Sequence, residues 1–175
     1  MVRRPNRPGP HVRAPRRKLS EYGKQLQEKQ RIQWSYGLRE AQLRRLFREA
    51  LKNPAVTGDM VFRLLEQRLD NVVFRLGFAP SRSVARQLVG HGHWMVNGRK
   101  VTIPSYRVVA GDVITVRPES REHPLLKGIA EALARYEPPQ WLSVDGEKQE
   151  GKVLSLPQDV ESEFDVNMVV DYYSK

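Results

Sequence analysis

Cysteine is absent from the 175 residues, which removes disulfides and thiolate metal sites. No apolar run is long enough to span a bilayer. The amino terminus, Met1-Val2-Arg3-Arg4-Pro5, carries the charge of a signal peptide without the apolar segment that should follow. A cytoplasmic protein without membrane contact is expected. Catalytic signatures are missing too: no Gly-rich phosphate loop, no Gly-x-Ser-x-Gly elbow and no His-Glu-x-x-His. His11 sits in a Pro-rich stretch and His123 ahead of a helix, neither beside a nucleophile. The expectation is a binding protein, not an enzyme, with no cofactor.

Acid is scarce where base is dense. Lys and Arg outnumber Asp and Glu 30 to 20, for a net charge of +10. Residues 1–52 carry net +11, residues 53–140 net +4 and residues 141–175 net −5. A field of this kind gains binding free energy against a polyanion, and its asymmetry separates a nucleic-acid end from an end that faces something else.

Arg3, Arg4, Arg7, Arg13, Arg16, Arg17 and Lys18 form a run without an acid. Pro5, Pro8, Pro10 and Pro15 deny it a helix or a central strand, so an extended phosphate-binding arm is expected. Ser20 is positioned to cap a helix carrying Tyr22, Gln25, Lys29 and Arg31, polar on most sides. Trp34 and Tyr36 read as packing anchors at its end. A second helix, about 39–52, buries Leu43, Leu46, Phe47, Ala50 and Leu51 at three-four spacing. It leaves Arg39, Arg44, Arg45, Arg48 and Lys52 for an anionic partner.

From Asp59, read as a cap, the stripe Leu65, Leu69, Val72 and Leu76 predicts one helix stopped by Gly77. Arg63, Arg68 and Arg75 lie among Glu66 and Asp70, so intrahelical pairing and ligand contact both stay open. A short helix, about 82–90, has Val84, Ala85, Leu88 and Val89 on one side and Arg82, Ser83, Arg86 and Gln87 on the other. Its arginine side is expected to face outward, forming one basic surface with His91-Gly92-His93. Two histidines without a third convergent ligand do not make a metal site.

His93-Trp94-Met95-Val96, the Asn97-Gly98 turn and Arg99-Lys100-Val101 predict a tight hairpin. Alternation sends Trp94, Val96, Val101 and Ile103 toward the helices and His93, Met95 and Lys100 away. Residues 113–116 add a strand. A helix over 124–136 follows, then short strands at 141–144, 152–156 and 168–173, read as a small antiparallel sheet. The acidic stretch Asp159, Glu161, Glu163 and Asp165 suits either a basic protein partner or solvent. The fold class is α+β: a helical, basic region (1–57), a helix-helix-hairpin RNA-binding module (58–118), and a C-terminal helix with short antiparallel strands (119–175) that packs with the N-terminal helices.

Lys18-Leu19-Ser20-Glu21-Tyr22-Gly23 resembles the amino-terminal signature of the small-subunit ribosomal protein four family. Arg68-Leu69-Asp70-Asn71-Val72-Val73 and Arg75-Leu76-Gly77-Phe78-Ala79 are similar to the start of that family's second domain. Ser81-Arg82, Ala85-Arg86-Gln87-Leu88-Val89, His91-Gly92-His93 and Val96-Asn97-Gly98 resemble its RNA-binding module. Ile103-Pro104-Ser105-Tyr106 and Tyr172-Tyr173-Ser174-Lys175 extend the likeness to almost the whole chain.

The resemblance implies a primary binder of small-subunit rRNA, a structural constituent that helps nucleate subunit assembly and influences translational accuracy. It also implies contact with small-subunit ribosomal protein five and a place near the channel by which messenger RNA (mRNA) enters. Many members begin with a longer segment carrying zinc-binding cysteines; this chain has none, so no metal is carried over. Where members often have an acid that completes a capping box with Ser81, this chain has Val84. The RNA contacts expected from charge and resemblance are the basic residues already named in 3–48, Tyr22 and Gln25, then Ser81, Arg82, Arg86, Gln87, His91, His93 and Lys100. The module also occurs in RNA-modifying enzymes of pseudouridine-synthase type, which is the alternative reading.

Overall fold

Ser20 accepts the Gly23 amide at 3.2 Å and starts α1, Glu21–Ser35, satisfying one of the amides a helix start leaves without a partner. The computed structural model describes residues 18–52, 57–127, 133, 136–157 and 164–174; the arginines of the expected arm, Arg3 to Arg17, lie outside them. After the corner at Tyr36-Gly37, where Gly37 takes φ +59°, α2 spans Glu40–Ala50 and buries the expected stripe Leu43, Leu46, Phe47 and Ala50.

The single helix expected from Asp59 to Leu76 is two: α3, Thr57–Glu66, and α4, Leu69–Arg75. Asp59 sits in the first turn of α3 and is not its cap. The break falls at Arg68, extended at φ −66° and ψ 135° and bridged to Arg107. The Leu69 and Asp70 amides donate to the carbonyls of Tyr106 (2.9 Å) and Pro104 (3.2 Å). A loop distant in sequence thus supplies the acceptors that a continuous helix would have provided. The short helix α5, Arg82–Gly90, is capped by Ser81, whose Oγ accepts the Val84 amide at 3.3 Å.

The hairpin forms as expected from β1, Trp94–Val96, and β2, Arg99–Lys100. Asn97 (φ 50°) and Gly98 (φ 75°) supply the two positive φ angles that a tight hairpin turn requires. Trp94 and Val96 point into the core, but Ile103 is exposed, having left the hairpin before a further alternation could turn it inward.

Strands β3 (Val113–Val116), β4 (Leu142–Asp145) and β5 (Glu150–Val153) complete one antiparallel sheet ordered β2-β1-β3-β5-β4. The later strands therefore extend the module's sheet instead of forming their own. Residues 168–173 are not a strand: they belong to α6, Val166–Ser174. Val166, Val169, Val170 and Tyr173 repeat at helical spacing and pack on the N-terminal cluster, overriding the strand preference of Val and Tyr. Asp165 caps α6 by accepting the Met168 amide at 3.2 Å. Asp159, Glu161, Glu163 and most of the expected 124–136 helix lie outside the described residues.

Among the described residues two hydrophobic clusters result. One gathers Ile32, Tyr36, Leu43, Phe47, Val61, Leu65, Val166 and Val169 from α1, α2, α3 and α6. The other packs α4 and α5 against the sheet around Leu69, Phe78, Leu88, Trp94 and Ile114.

Candidate nucleic-acid interface

With its apolar stripe buried, α2 exposes Arg39, Arg44, Arg45 and Arg48, and Lys52 follows on the same exposed surface. Arg45 also lines an open groove of about 500 Å³ with Gln42, Leu46, Glu49, Leu64, Arg68, Ser105 and Arg107. Glu49 is the acid there, and Arg107 holds it with two hydrogen bonds of 2.6 Å. The Arg107 hydrogen bonds keep the Glu49 carboxyl ionised, below its ordinary value, against a smaller opposing effect of burial. Arg107 and Arg68 spend donors on Glu49 and Asp70, so Arg45 is the guanidinium the groove offers to the paired oxygens of a phosphate. Sequence reasoning misses Arg107; the Arg68–Arg107 bridge and the backbone bonds on either side of it bring it beside α2.

Helix α1 divides the residues expected on it. Lys18 and Tyr22 are exposed, with the Tyr22 ring 5.7 Å from that of Tyr172. Gln25 and Lys29 are turned inward, 4% and 7% exposed, because α6 covers this face. Lys29 pairs with Glu40 at 2.5 Å and sits 5.5 Å from the Tyr172 ring centre. Burial pushes Glu40 up, but its hydrogen bonds from Lys29 and Tyr173 outweigh that and leave it below its ordinary value. Lys29 is thus a structural cation. Arg31 is exposed, paired with Glu28 at 2.5 Å and placed over Phe164.

On the arginine side of α5, Ser83 and Gln87 are exposed, whereas Arg82 and Arg86 are half-buried and engaged within the protein. Arg82 Nε donates to Asn71 Oδ1 at 2.7 Å, and its guanidinium lies 4.6 Å from the Tyr36 ring centre and 4.7 Å from that of Phe74. Arg86 Nε donates to Asp70 Oδ2 at 3.0 Å and Nη1 to the Gly37 carbonyl. Arg68 holds the same Asp70 carboxylate at 2.8 and 3.1 Å. The physical cause is the pair of buried acids Asp70 and Glu66, 4% and 1% exposed, which need cations once removed from water. Arg75 meets Glu66 with 3.0 and 3.1 Å bonds, and Asn71 Nδ2 adds one of 2.9 Å. Arg68 and Arg75, left open in the sequence between pairing and ligand contact, are paired. The network joins the α1–α2 corner to the module.

At the other end of α5, His91 is exposed and His93 partly so. The His93 ring centre lies 4.6 Å from that of His123 and 6.1 Å from that of His91, and its Nδ1 is 2.9 Å from Ser120 Oγ. Burial, then charge repulsion involving His123, His91, Arg117 and Lys100, holds His93 below its ordinary value. Lys100 arches over Gly92, whose φ of +79° and lack of Cβ leave room for its chain. Gln87, Arg99 and Lys100 are exposed, and Ser81 acts as a cap. His123, which has no site signature in the sequence, joins this basic end through the fold. Among the described residues no cluster of acids and histidines could hold a metal ion.

Two known sequence families match residues 1–114. Residues 1–66 match the Ribosomal protein S4/S9 N-terminal domain and residues 67–114 the S4 domain. The chain is 51% identical over 175 residues to small ribosomal subunit protein uS4 of Dehalococcoides mccartyi, covering 99% of this chain and 84% of that protein. It is 51% identical over 172 residues to the uS4 protein of Persephonella marina, covering 95% and 84%. With the Roseiflexus uS4 protein the identity is 47% over 180 residues, covering 100% and 87%. Two adjoining family matches in order, and identity near one half across nearly the full length, leave one assignment: this chain belongs to the uS4 family of small ribosomal subunit proteins.

Proposed function

We propose that this chain is a structural constituent of the small ribosomal subunit, working in the cytoplasm as a primary binder of small-subunit rRNA early in assembly. The observation that carries the reading is the exposed basic surface of α2, with Arg39, Arg44, Arg45 and Arg48 beside the arginine-lined groove. The histidine end of α5 with Lys100 is the second hold, and the Arg3–Arg17 arm adds phosphate contacts. An RNA-modifying enzyme needs a catalytic domain outside the module; residues 1–66 instead match the ribosomal N-terminal domain.

We also propose contact with small-subunit ribosomal protein five and a place near the mRNA channel, with an influence on accuracy, as the family resemblance implies. The exposed apolar residues Ile103, Tyr106 and Val109 support a protein neighbour, since apolar surface gains little from phosphate. Among the described residues no helix is long and apolar enough to cross a membrane.

The test is affinity for small-subunit rRNA across a salt series. Neutralising about 6–10 phosphates in a duplex lowers affinity by roughly 10³–10⁵ between about 50 and 200 mM salt. Affinity that stays flat across the series overturns the mechanism.

A further inference from the structure

Of three tryptophans, Trp94 and Trp141 are 0% and 7% exposed, whereas Trp34 is 71% exposed. Trp34 and Tyr36 both read as packing anchors in the sequence; Tyr36 is one and Trp34 is not. The inward stripe of α1 runs Gln25, Lys29, Ile32 and on to Tyr36. Trp34 stands two residues past Ile32, about 200° round the helix, on the outer side with Gln27, Gln30 and Arg31. Among the described residues its indole makes no ring contact.

The backbone carrying it is fixed. The Trp34 carbonyl accepts the Gly37 amide at 3.1 Å, and the Gly37 carbonyl accepts from Arg86. Tyr36 is buried with its hydroxyl on Glu66 and Arg82 over its ring. A large aromatic plane is thus held out toward solvent, near the end of α1 in the most basic third of the chain. A polar helix with one exposed indole, in a segment of net +11 over residues 1–52, is complementary to a nucleobase: stacking removes the indole from water while the cations of that segment take phosphates.

We infer that Trp34 is a stacking platform for one unpaired base of the bound RNA, in a loop, bulge or junction where a base can leave its helix. The inference rests on the RNA-binding reading above and adds to its phosphate grip a contact indifferent to salt.

The test uses the full chain, a small-subunit rRNA fragment, tryptophan fluorescence and filter binding. RNA is expected to quench the solvent-exposed part of the emission and shield it from acrylamide. Trp34→Ala is expected to weaken binding roughly 5- to 150-fold, with unchanged melting temperature and unchanged dependence of log K on log salt. Trp34→Phe, which keeps an aromatic face, should retain most of the affinity. A Trp34→Ala chain that binds RNA as tightly as wild type overturns the inference and leaves RNA binding standing. If that chain instead loses only its incorporation into small subunits, the indole belongs to a protein neighbour and the inference is equally overturned. A wild-type chain that binds no rRNA brings down the RNA reading itself.

Discussion

The Tyr36 hydroxyl donates to Glu66 Oε1 at 2.7 Å, thirty residues away in sequence. Both lie on the helical side, Tyr36 at the corner after α1 and Glu66 at the end of α3, and each reaches across the seam to the module through a further partner. The carboxylate also receives Arg75 and Asn71, and Arg82 roofs the tyrosine ring. Removing one member strands the others, and the cost of an unpaired buried charge exceeds the worth of a single hydrogen bond. Tyr36→Phe is expected to cost about 2 kcal/mol, lowering the melting temperature by roughly 4–8 °C. Glu66→Ala should cost about 3 kcal/mol, the lower end for a broken buried pair because Arg75 retains some solvent. Thermal and urea unfolding of the two variants checks both; a neutral Glu66→Ala would refute the account of the seam.

Burial, then the neighbouring Glu66 charge and its hydrogen bond, raise the Tyr36 hydroxyl well above its ordinary value of 10.0. Burial and then Glu40 do the same to Tyr173. In this window the unfolded chain releases tyrosine protons while the folded chain keeps them. Their contribution is therefore full below pH 10 or so and is lost as pH rises further. Stability measured by urea unfolding should fall from about pH 9.5 upward, and less steeply in a Tyr36→Phe, Tyr173→Phe chain. An identical slope in that chain would place the alkaline instability elsewhere.

Much of this architecture is legible because it is local. The stripe of α2, the Ser20 and Ser81 caps and the Asn97-Gly98 turn depend on neighbours a few residues away. What escapes depends on distant residues. Leu65, Leu69, Val72 and Leu76 keep helical spacing straight through the break at Arg68, which exists because the carbonyls of Pro104 and Tyr106 take the first amides of α4. The strand-forming residues of 168–173 become α6 because α1 offers them a face. Arg82 and Arg86 carry the charge expected of RNA ligands, and in the free chain Asn71 and Asp70, a helix away, hold them. Burial of those two polar residues has no signature in a stripe made of their apolar neighbours.

His93 responds to acid in two opposed ways. Its folded value is depressed by burial and by charge repulsion with the basic groups facing it: His123, His91 at the end of α5, Arg117 after β3 and Lys100 of β2. As pH falls from its ordinary value of 6.5, the unfolded chain takes up a proton more readily, so the free protein loses stability. A bound phosphate backbone reverses the balance, because it favours the imidazolium. RNA affinity should therefore rise as pH drops from about 7 to about 5.5, by at most about tenfold per pH unit for each proton taken up. Nuclear magnetic resonance titration of the histidines, free and RNA-bound, reads the direction; a His93 value that RNA leaves unchanged removes this end of α5 from the interface.

Two pairs of arginines, one turn apart on their helices, should behave differently. Arg44 and Arg48 are exposed on α2, so replacing both by alanine should leave stability within about 0.5 kcal/mol. It should weaken RNA binding across sequences and lower the salt slope by about 2, one for each phosphate no longer neutralised. Arg82 and Arg86 are held by Asn71, Asp70, the Gly37 carbonyl and two aromatic rings. Replacing both removes two cation–π interactions and several charged hydrogen bonds, a cost of about 2–4 kcal/mol. RNA affinity should then fall because the two gripping surfaces no longer keep a fixed relation, with a salt slope close to wild type. Urea unfolding beside filter binding at several salt concentrations separates the pairs. If the Arg82→Ala, Arg86→Ala chain is as stable as wild type and its salt slope drops by about 2, those arginines hold RNA directly and the seam is held by Tyr36, Glu66 and Arg75 alone.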